Sequence, residues 1–501
     1  MNQPRFKSPP AQFALAATIS GLIYLLVFTL PYLLPTHYNI TPPVDYTKLT
    51  GYSRTGFAAY LAGLAGLFAC YLWGLKLMTS AGRVLKASWL FGSSAAFAAI
   101  LLAGYPLTAI DLFIYAIRTR GWALYGLPPL LTPPEMLPAA DPWLGLAGEW
   151  VDAASPYGPL WELLSLGAFH LGGGSFLAHL LLLKLLGAAA TLGSAALIYL
   201  TLRRLQPAWA LAGTLAFAWN PLVLFEAVQN AHNDIVMTFF LLAALWLAVT
   251  RPASVPTHAG VLLLLAASIL VKFVTVLAAP FILLALVARQ TGRAKRLAAI
   301  MLYGLLLVGL VAAALWPYWP GWDNWAVLEA GSQAGRSLPA LLILALRDSL
   351  GTNAAFAVAG NLTQGLFGLI YLFLLWRSAA ASRWQAGQPQ AEMGVSLAVW
   401  PTFYALFWYV LLAAPVFHAW YLLWFVPLAS LLLPAPRPLR VAIVFSMTAL
   451  AVIPYFETVR VWYPLLLQNH LLGHLVGVPL LVLPPLLTAL WPISPPPQSE
   501  V

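Results

Sequence analysis

Apolar residues run in blocks of about 20 along the whole chain, the length a helix needs to cross a bilayer core. The blocks fall near 12–34, 56–79, 88–107, 175–202, 207–226, 234–250, 259–274, 275–289, 297–316, 353–376, 395–414, 416–434, 439–456 and 468–491. They predict an all-α polytopic membrane protein with about 12–14 transmembrane helices. The stretch 259–289 reads either as two short helices or as one long helix bent at Pro280. Arg5 and Lys7 precede the first block, which is too long for the apolar part of a signal peptide and is expected to stay as a span.

Two stretches between the blocks are too long for simple turns, and they divide the chain. Spans occupy 1–107, a loop with interfacial helices 108–174, spans 175–316, a second loop 317–352 and spans 353–501. In DLFIYAIRTR, residues 111–120, Asp111, Tyr115 and Arg118 recur at i, i+4 and i+7 on one helical face. Leu112, Phe113, Ile114 and Ile117 cover much of the rest, which predicts an interfacial helix with these side chains toward lipid. Pro128, Pro129, Pro133, Pro134, Pro138 and Pro142 then break regular structure. Residues 156–170, PYGPLWELLSLGAFH, predict a second interfacial helix opening near Pro159. The second loop holds WPYWPGWDNW at 316–325, whose aromatics suit a headgroup belt or stacking on sugar rings.

Composition removes the soluble alternatives. Of 501 residues, 61% are hydrophobic and 8% charged, against roughly 25% charged in a soluble protein. The 40 prolines and 36 glycines argue against a bundle of straight helices. The single cysteine, Cys70, lies in an apolar run and offers no disulfide framework and no Cys-based metal site.

The net charge of +10 would suit nucleic acid, but its distribution points to a membrane. With the N-terminus inside, Lys76, Lys86, Arg203, Arg204, Arg251, Lys295, Arg296, Arg377, Arg437 and Arg440 fall on the cytoplasmic side. Lys48, Arg54, Arg118, Arg120, Arg336, Arg347 and Arg460 fall outside, which is the positive-inside bias. Of the 15 acids, Glu392 and Glu500 alone fall inside. A working face outside the cytoplasm is the inference.

Several polar residues could carry chemistry. Asp111, just past the third span, suits a general base for a hydroxyl, or a helix N-cap. In WNPLVLFEAVQNAHND, residues 219–234, a helix continuing past Pro221 puts Glu226, Asn230, Asn233 and Asp234 on one face. Such a stripe faces water or a polar cavity; the plainer reading is a loop that caps the next helix. His232 points off the stripe unless the helix kinks, and it lacks a helical His partner for a metal. Lys272 and Lys184 sit in apolar spans and need an anion, a carbonyl or a route to the interface. His418 lies among Trp420, Tyr421 and Trp424, an interfacial cluster or a phosphate or sugar contact. Asp-x-Asp, a Gly-Lys-Ser/Thr phosphate loop and Gly-x-Ser-x-Gly are all lacking. A transfer reaction would then draw on an activated, lipid-linked donor.

In sequence order come Asp111, SPYGPLW at 155–161, NPLVLFEAVQNAHND at 220–234, Lys272 and HAWYLLW at 418–424. Together they resemble the polyprenyl-phosphate-dependent glycosyltransferases of the GT-C superfamily, in particular bacterial alpha-1,6-mannosyltransferases and phosphatidylinositol-mannoside mannosyltransferases. The resemblance covers about 105–430. Ala231 stands where that pattern suggests glycine, and an alanine implies ordinary backbone angles. The resemblance implies a GT-C fold with a large extracytoplasmic loop, and inverting transfer of a hexose, mannose above all, from a polyprenyl-phospho-sugar to a lipid or glycan acceptor. It makes Asp111 the base, Asn230, His232, Asn233 and Asp234 sugar or acceptor contacts, Lys272 and His418 phosphate contacts, and Tyr157 and Trp161 cavity wall. Tyr115, Arg118, Glu226, Arg336 and Tyr421 complete the candidate substrate-binding set. No divalent metal and no other cofactor is expected, and the surrounding partners are membrane lipids rather than nucleic acid. The implied location is the plasma (inner) membrane. A multi-pass transporter or flippase, or a ligase acting on a lipid-linked glycan, remains the alternative; turnover of a polyprenyl-phospho-sugar with release of polyprenyl phosphate distinguishes them.

Overall fold

The computed structural model describes residues 8–81, 84–288, 290, 292–319, 321, 334–384 and 394–491. Arg5, Lys7, Glu392, Glu500 and residues 322–325 of the second loop lie outside them. Helices account for the architecture: α1 (Pro9–Tyr32), α2 (Arg54–Ser80), α3 (Ala87–Leu102), α4 (Asp111–Tyr125), α5 (Pro159–Leu171), α6 (Phe176–Leu205), α7 (Pro207–Ala218), α8 (Pro221–Gln229) and α9 (Asp234–Thr250). They continue with α10 (Val255–Val271), α11 (Phe273–Val287), α12 (Arg293–Tyr318), α13 (Leu338–Leu350), α14 (Thr352–Ser382), α15 (Val395–Ala413), α16 (Ala419–Leu431), α17 (Pro436–Trp462) and α18 (His470–Leu490). Among the described residues, strand-like pairing is confined to two isolated bridges, Leu33 with Gly104 and Gly335 with Val416.

Every apolar block is helical, but the helices differ in reach. Eight are long and apolar enough to cross a membrane alone: α1, α2, α6, α12, α14, α15, α17 and α18. α7 and α8 form one pair bent by 52°, and α3, α9, α10, α11 and α16 are shorter apolar helices of 10–17 residues. Among the described residues that makes 8 candidate spans, or 9 with the bent pair as one, fewer than the 12–14 expected, because several apolar blocks form helices of 10–17 residues. α12 buries 6% of its most apolar stretch inside the protein, whereas α15 and α17 bury 67%. Leu305 on α12 and Leu369 on α14 are 69% and 68% exposed, an apolar surface made for lipid.

Two expectations change. The break in 259–289 falls at Lys272, not at Pro280: Lys272 takes extended angles (φ −154°, ψ 125°) and ends α10. α11 opens as a 3-10 stretch over Phe273–Ala278, and Pro280 sits in the first turn of its α-helical part, Ala279–Val287, where its missing N–H costs nothing. And α4 does not lie on lipid. Leu112, Phe113, Ile114 and Ile117 are 0–2% exposed because α4 packs against α5 and α6. Apolar spacing reports a buried face without saying whether protein or lipid covers it.

The segment after α1 and the one after α3 are laced together: Tyr105 N–H donates to Tyr32 O (2.7 Å), and Tyr46 N–H to Leu107 O (2.7 Å). α4, the start of α9 and the end of α10 gather at this same end of the bundle, while Arg203 and Arg204 close α6 at the other.

Candidate active site

Asp111 is the first residue of α4, and Ile110 is the N-cap. The carboxylate therefore caps nothing, and it makes no hydrogen bond or ion pair among the described residues. It opens instead into a cavity of about 590 Å³, shared with Arg118, Tyr157, Lys272, His418 and Tyr421. Burial pushes the Asp111 carboxyl above the usual range; His232 and Lys272 pull it down, Asp234 pushes it up, and Arg118 pulls it down. Its place at a helix N-terminus favours the anion.

Behind the cavity, not lining it, lies the segment 219–234, for which the sequence offered a helix continuing past Pro221 or a loop that caps the next helix. α8 begins as an α-helix at Pro221, passes into a π-turn over Phe225–Gln229 and stops at Asn230. Asn233 stands at the N-cap position of α9 without a side-chain cap bond. The extra residue in the π-turn shifts the register, so the expected single stripe splits in two. Glu226 and Asn230 still meet (Asn230 Nδ2 to Glu226 Oε2, 2.9 Å), but Asp234 turns toward Lys272. The kink that a role for His232 requires is present. Ala231 makes it: its φ of 57° is left-handed, not the ordinary angle expected of alanine. The backbone keeps the shape that glycine favours, and the methyl group adds about 1 kcal/mol of local strain. Lys184, fully buried in α6, holds this break by donating to Gly104 O (2.7 Å) and to Gln229 O.

Lys272 is the cavity's central cation. Its Nζ lies 2.8 Å from Asp234 Oδ1, which also accepts from Trp424 Nε1 (2.5 Å). Tyr157, Tyr421 and Trp424 surround the ammonium with ring centroids 5.4–5.5 Å away. Tyr157 reaches it because SPYGPLW packs on the end of α10: Gly158 N–H donates to Val271 O (3.1 Å). A Cβ at Gly158 would lie 2.0 Å from Leu270 O, so no larger residue fits, and Pro159 starts α5 at once. Arg118 is 5% exposed; its Nη2 donates to Ala153 O (2.7 Å) and Ala154 O (3.1 Å), and its Nε has no partner. Near it, burial pushes Glu162 up to about 7, against the Ser155 hydrogen bond (2.5 Å) and the charge of Arg118.

The arrangement brings an unpaired carboxylate, two cations and aromatic walls around one hollow of a size that suits a small polar ligand. Residues 23–288 match the family model described as alpha-(1->6)-mannopyranosyltransferase, N-terminal domain. The chain belongs to that family. That family is one of glycosyltransferases, and among the described residues eight helices are long and apolar enough to cross a membrane. No curated protein matches the sequence. Among solved structures, the Archaeoglobus fulgidus oligosaccharyltransferase, crystallised with Zn and sulfate, is similar at 13% identity and TM-score 0.40, over 82% of this chain and 54% of its own. Archaeal oligosaccharyltransferase AglB from the same organism, in complex with an inhibitory peptide and a dolichol-phosphate, aligns at 12% identity and TM-score 0.38, over 82% and 56%. The chain spans about half the length of these structures.

In this family member the candidate residues sort by position. Asp111, Arg118, Tyr157, Lys272, His418 and Tyr421 line the cavity. Asp234 reaches it through Lys272. Tyr115 and Trp161 do not line it: both are 1% exposed and pack edge to face (5.0 Å) behind Tyr157. His232 lies behind Trp420, whose ring it stacks on at 3.9 Å; His418 stacks on Trp420 at 4.1 Å. Glu226, Asn230 and Asn233 are buried, and both amide atoms of Asn233 lack a partner. Arg336 is engaged elsewhere, in an ion pair with Glu457. Sequence reasoning did not find Thr108, three residues before Asp111, which donates to Glu226 Oε1 (3.0 Å). A lone hydroxyl in a short loop gives no periodic pattern to read. Among the described residues no group of three or more His, Cys, Asp or Glu is placed to hold a metal ion.

Proposed function

We propose that the protein transfers a mannosyl group from a polyprenyl-phospho-mannose to a hydroxyl of a lipid or glycan acceptor, with inversion, in the cavity around Asp111. The supporting observation is the pairing of a carboxylate free of partners with two cations, Lys272 and Arg118, in one cavity. The acceptor oxygen attacks the anomeric carbon as Asp111 takes its proton. The bond from that carbon to the phosphate oxygen breaks, and its electron pair leaves on polyprenyl phosphate. Lys272, Arg118 and His418 stand where the charge on that phosphate grows.

A second hollow of about 370 Å³ supports the lipid donor. It is lined by Ile269, Val276, Leu307, Val311, Leu315 and Trp319, and Val276 also lines the main cavity. A prenyl tail held there would deliver its phosphate toward Lys272.

In this reading the cavity end of the bundle faces away from the cytoplasm, in the plasma membrane, and no divalent metal takes part. Purified enzyme given a mannosyl phosphopolyprenol and octyl mannoside tests the reading: product forms with stoichiometric polyprenyl phosphate, and a chelator leaves the rate unchanged. Movement of the lipid without turnover would overturn it.

A further inference from the structure

Glu226 was read as a substrate contact, yet its surroundings are entirely protein. It is 0% exposed, and its two oxygens are taken: Thr108 Oγ1 donates to Oε1 (3.0 Å) and Asn230 Nδ2 to Oε2 (2.9 Å). Asn230 in turn accepts from Leu107 N–H (3.1 Å) and reaches Thr108 Oγ1 (2.5 Å). The segment 107–111, which begins the helix bearing Asp111, is thus tied at three points to the turn 226–230. His232 Nε2 lies 3.3 Å from Oε2. Both ring nitrogens of His232 are buried without a hydrogen-bond partner among the described residues.

We infer that Glu226 is a positioning residue for the transfer reaction: through Thr108 and Asn230 it fixes the segment that begins the helix bearing Asp111. This rests on Asp111 being the base. Asp111 faces His232, Lys272, Asp234 and Arg118, with the hydroxyls of Tyr115, Tyr157 and Tyr421 around it. Glu226 faces His232 and the Tyr60 hydroxyl.

Glu226→Gln keeps the size, but its amide nitrogen cannot accept, so one of the bonds from Thr108 and Asn230 is lost. In the full chain, with a mannosyl phosphopolyprenol and octyl mannoside, kcat falls about 10–100-fold and both KM values hold. Thr108→Val lowers kcat in the same way. Wild-type kcat in Glu226→Gln, or a raised KM with unchanged kcat, overturns the inference. Should Glu226→Gln not fold, a wild-type kcat in Thr108→Val overturns it. The outcome is separable from the base assignment: an active Asp111→Asn removes that reading, whereas an inert Asp111→Asn beside a normal Glu226→Gln removes this one.

Discussion

Asp111 stands in an unusual position for a carboxylate, at a helix start beside the cavity with no hydrogen bond among the described residues to hold its charge. A raised carboxyl is protonated over a wider acid range, and only the anion can accept the acceptor's proton. The acid limb of kcat should therefore lie above the ordinary carboxylate range, near 4 for a free aspartate. A pH–rate profile with its limb at or below that value would contradict the burial argument. Asp111 was legible in the sequence as an acid just past a span, and of its two readings the N-cap falls to Ile110. Glu226 and Asn230 were legible as polar but not in their roles. The π-turn that points them inward has no residue pattern, and Thr108 is their partner only in three dimensions.

Helix breaks, more than helices, make the site. Lys272 ends α10, Ala231 turns the chain between α8 and α9, and Gly158 precedes α5; each places a functional neighbour. Gly158 is the tightest of these. Gly158→Ala would set a methyl group 2.0 Å from Leu270 O, so the loop must lift from α10 and draw Tyr157 off Lys272. We expect kcat/KM to drop about 100-fold with the protein still inserted and monodisperse, as read by steady-state kinetics beside size-exclusion chromatography. Unchanged kinetics would show that this contact does not position the site. The Pro-Tyr-Gly-Pro run announced a helix start in the sequence, but the approach of Leu270 O to its glycine could not be read there. In the same way the spacing of α4 predicted its helix and its one-sided face correctly, and left lipid and protein as equal candidates for what covers it.

Across the whole molecule, hydropathy placed the helices because lipid and protein interior demand the same apolar character. It could not separate α12, almost wholly exposed, from α15, largely buried. That difference matters to the lipid donor, since α12 supplies Leu307, Val311 and Leu315 to the apolar hollow. Leu307→Trp should raise KM about tenfold for a long-chain mannosyl phosphopolyprenol and leave KM for a short-chain donor unchanged. Equal effects on both donors would place the tail elsewhere. The most direct test of the account remains the base itself. In a single-turnover assay of release of polyprenyl phosphate, Asp111→Asn is expected to lose about 10²–10⁴-fold in rate while the purified protein keeps its wild-type elution and thermal stability. Release at the wild-type rate would contradict the account.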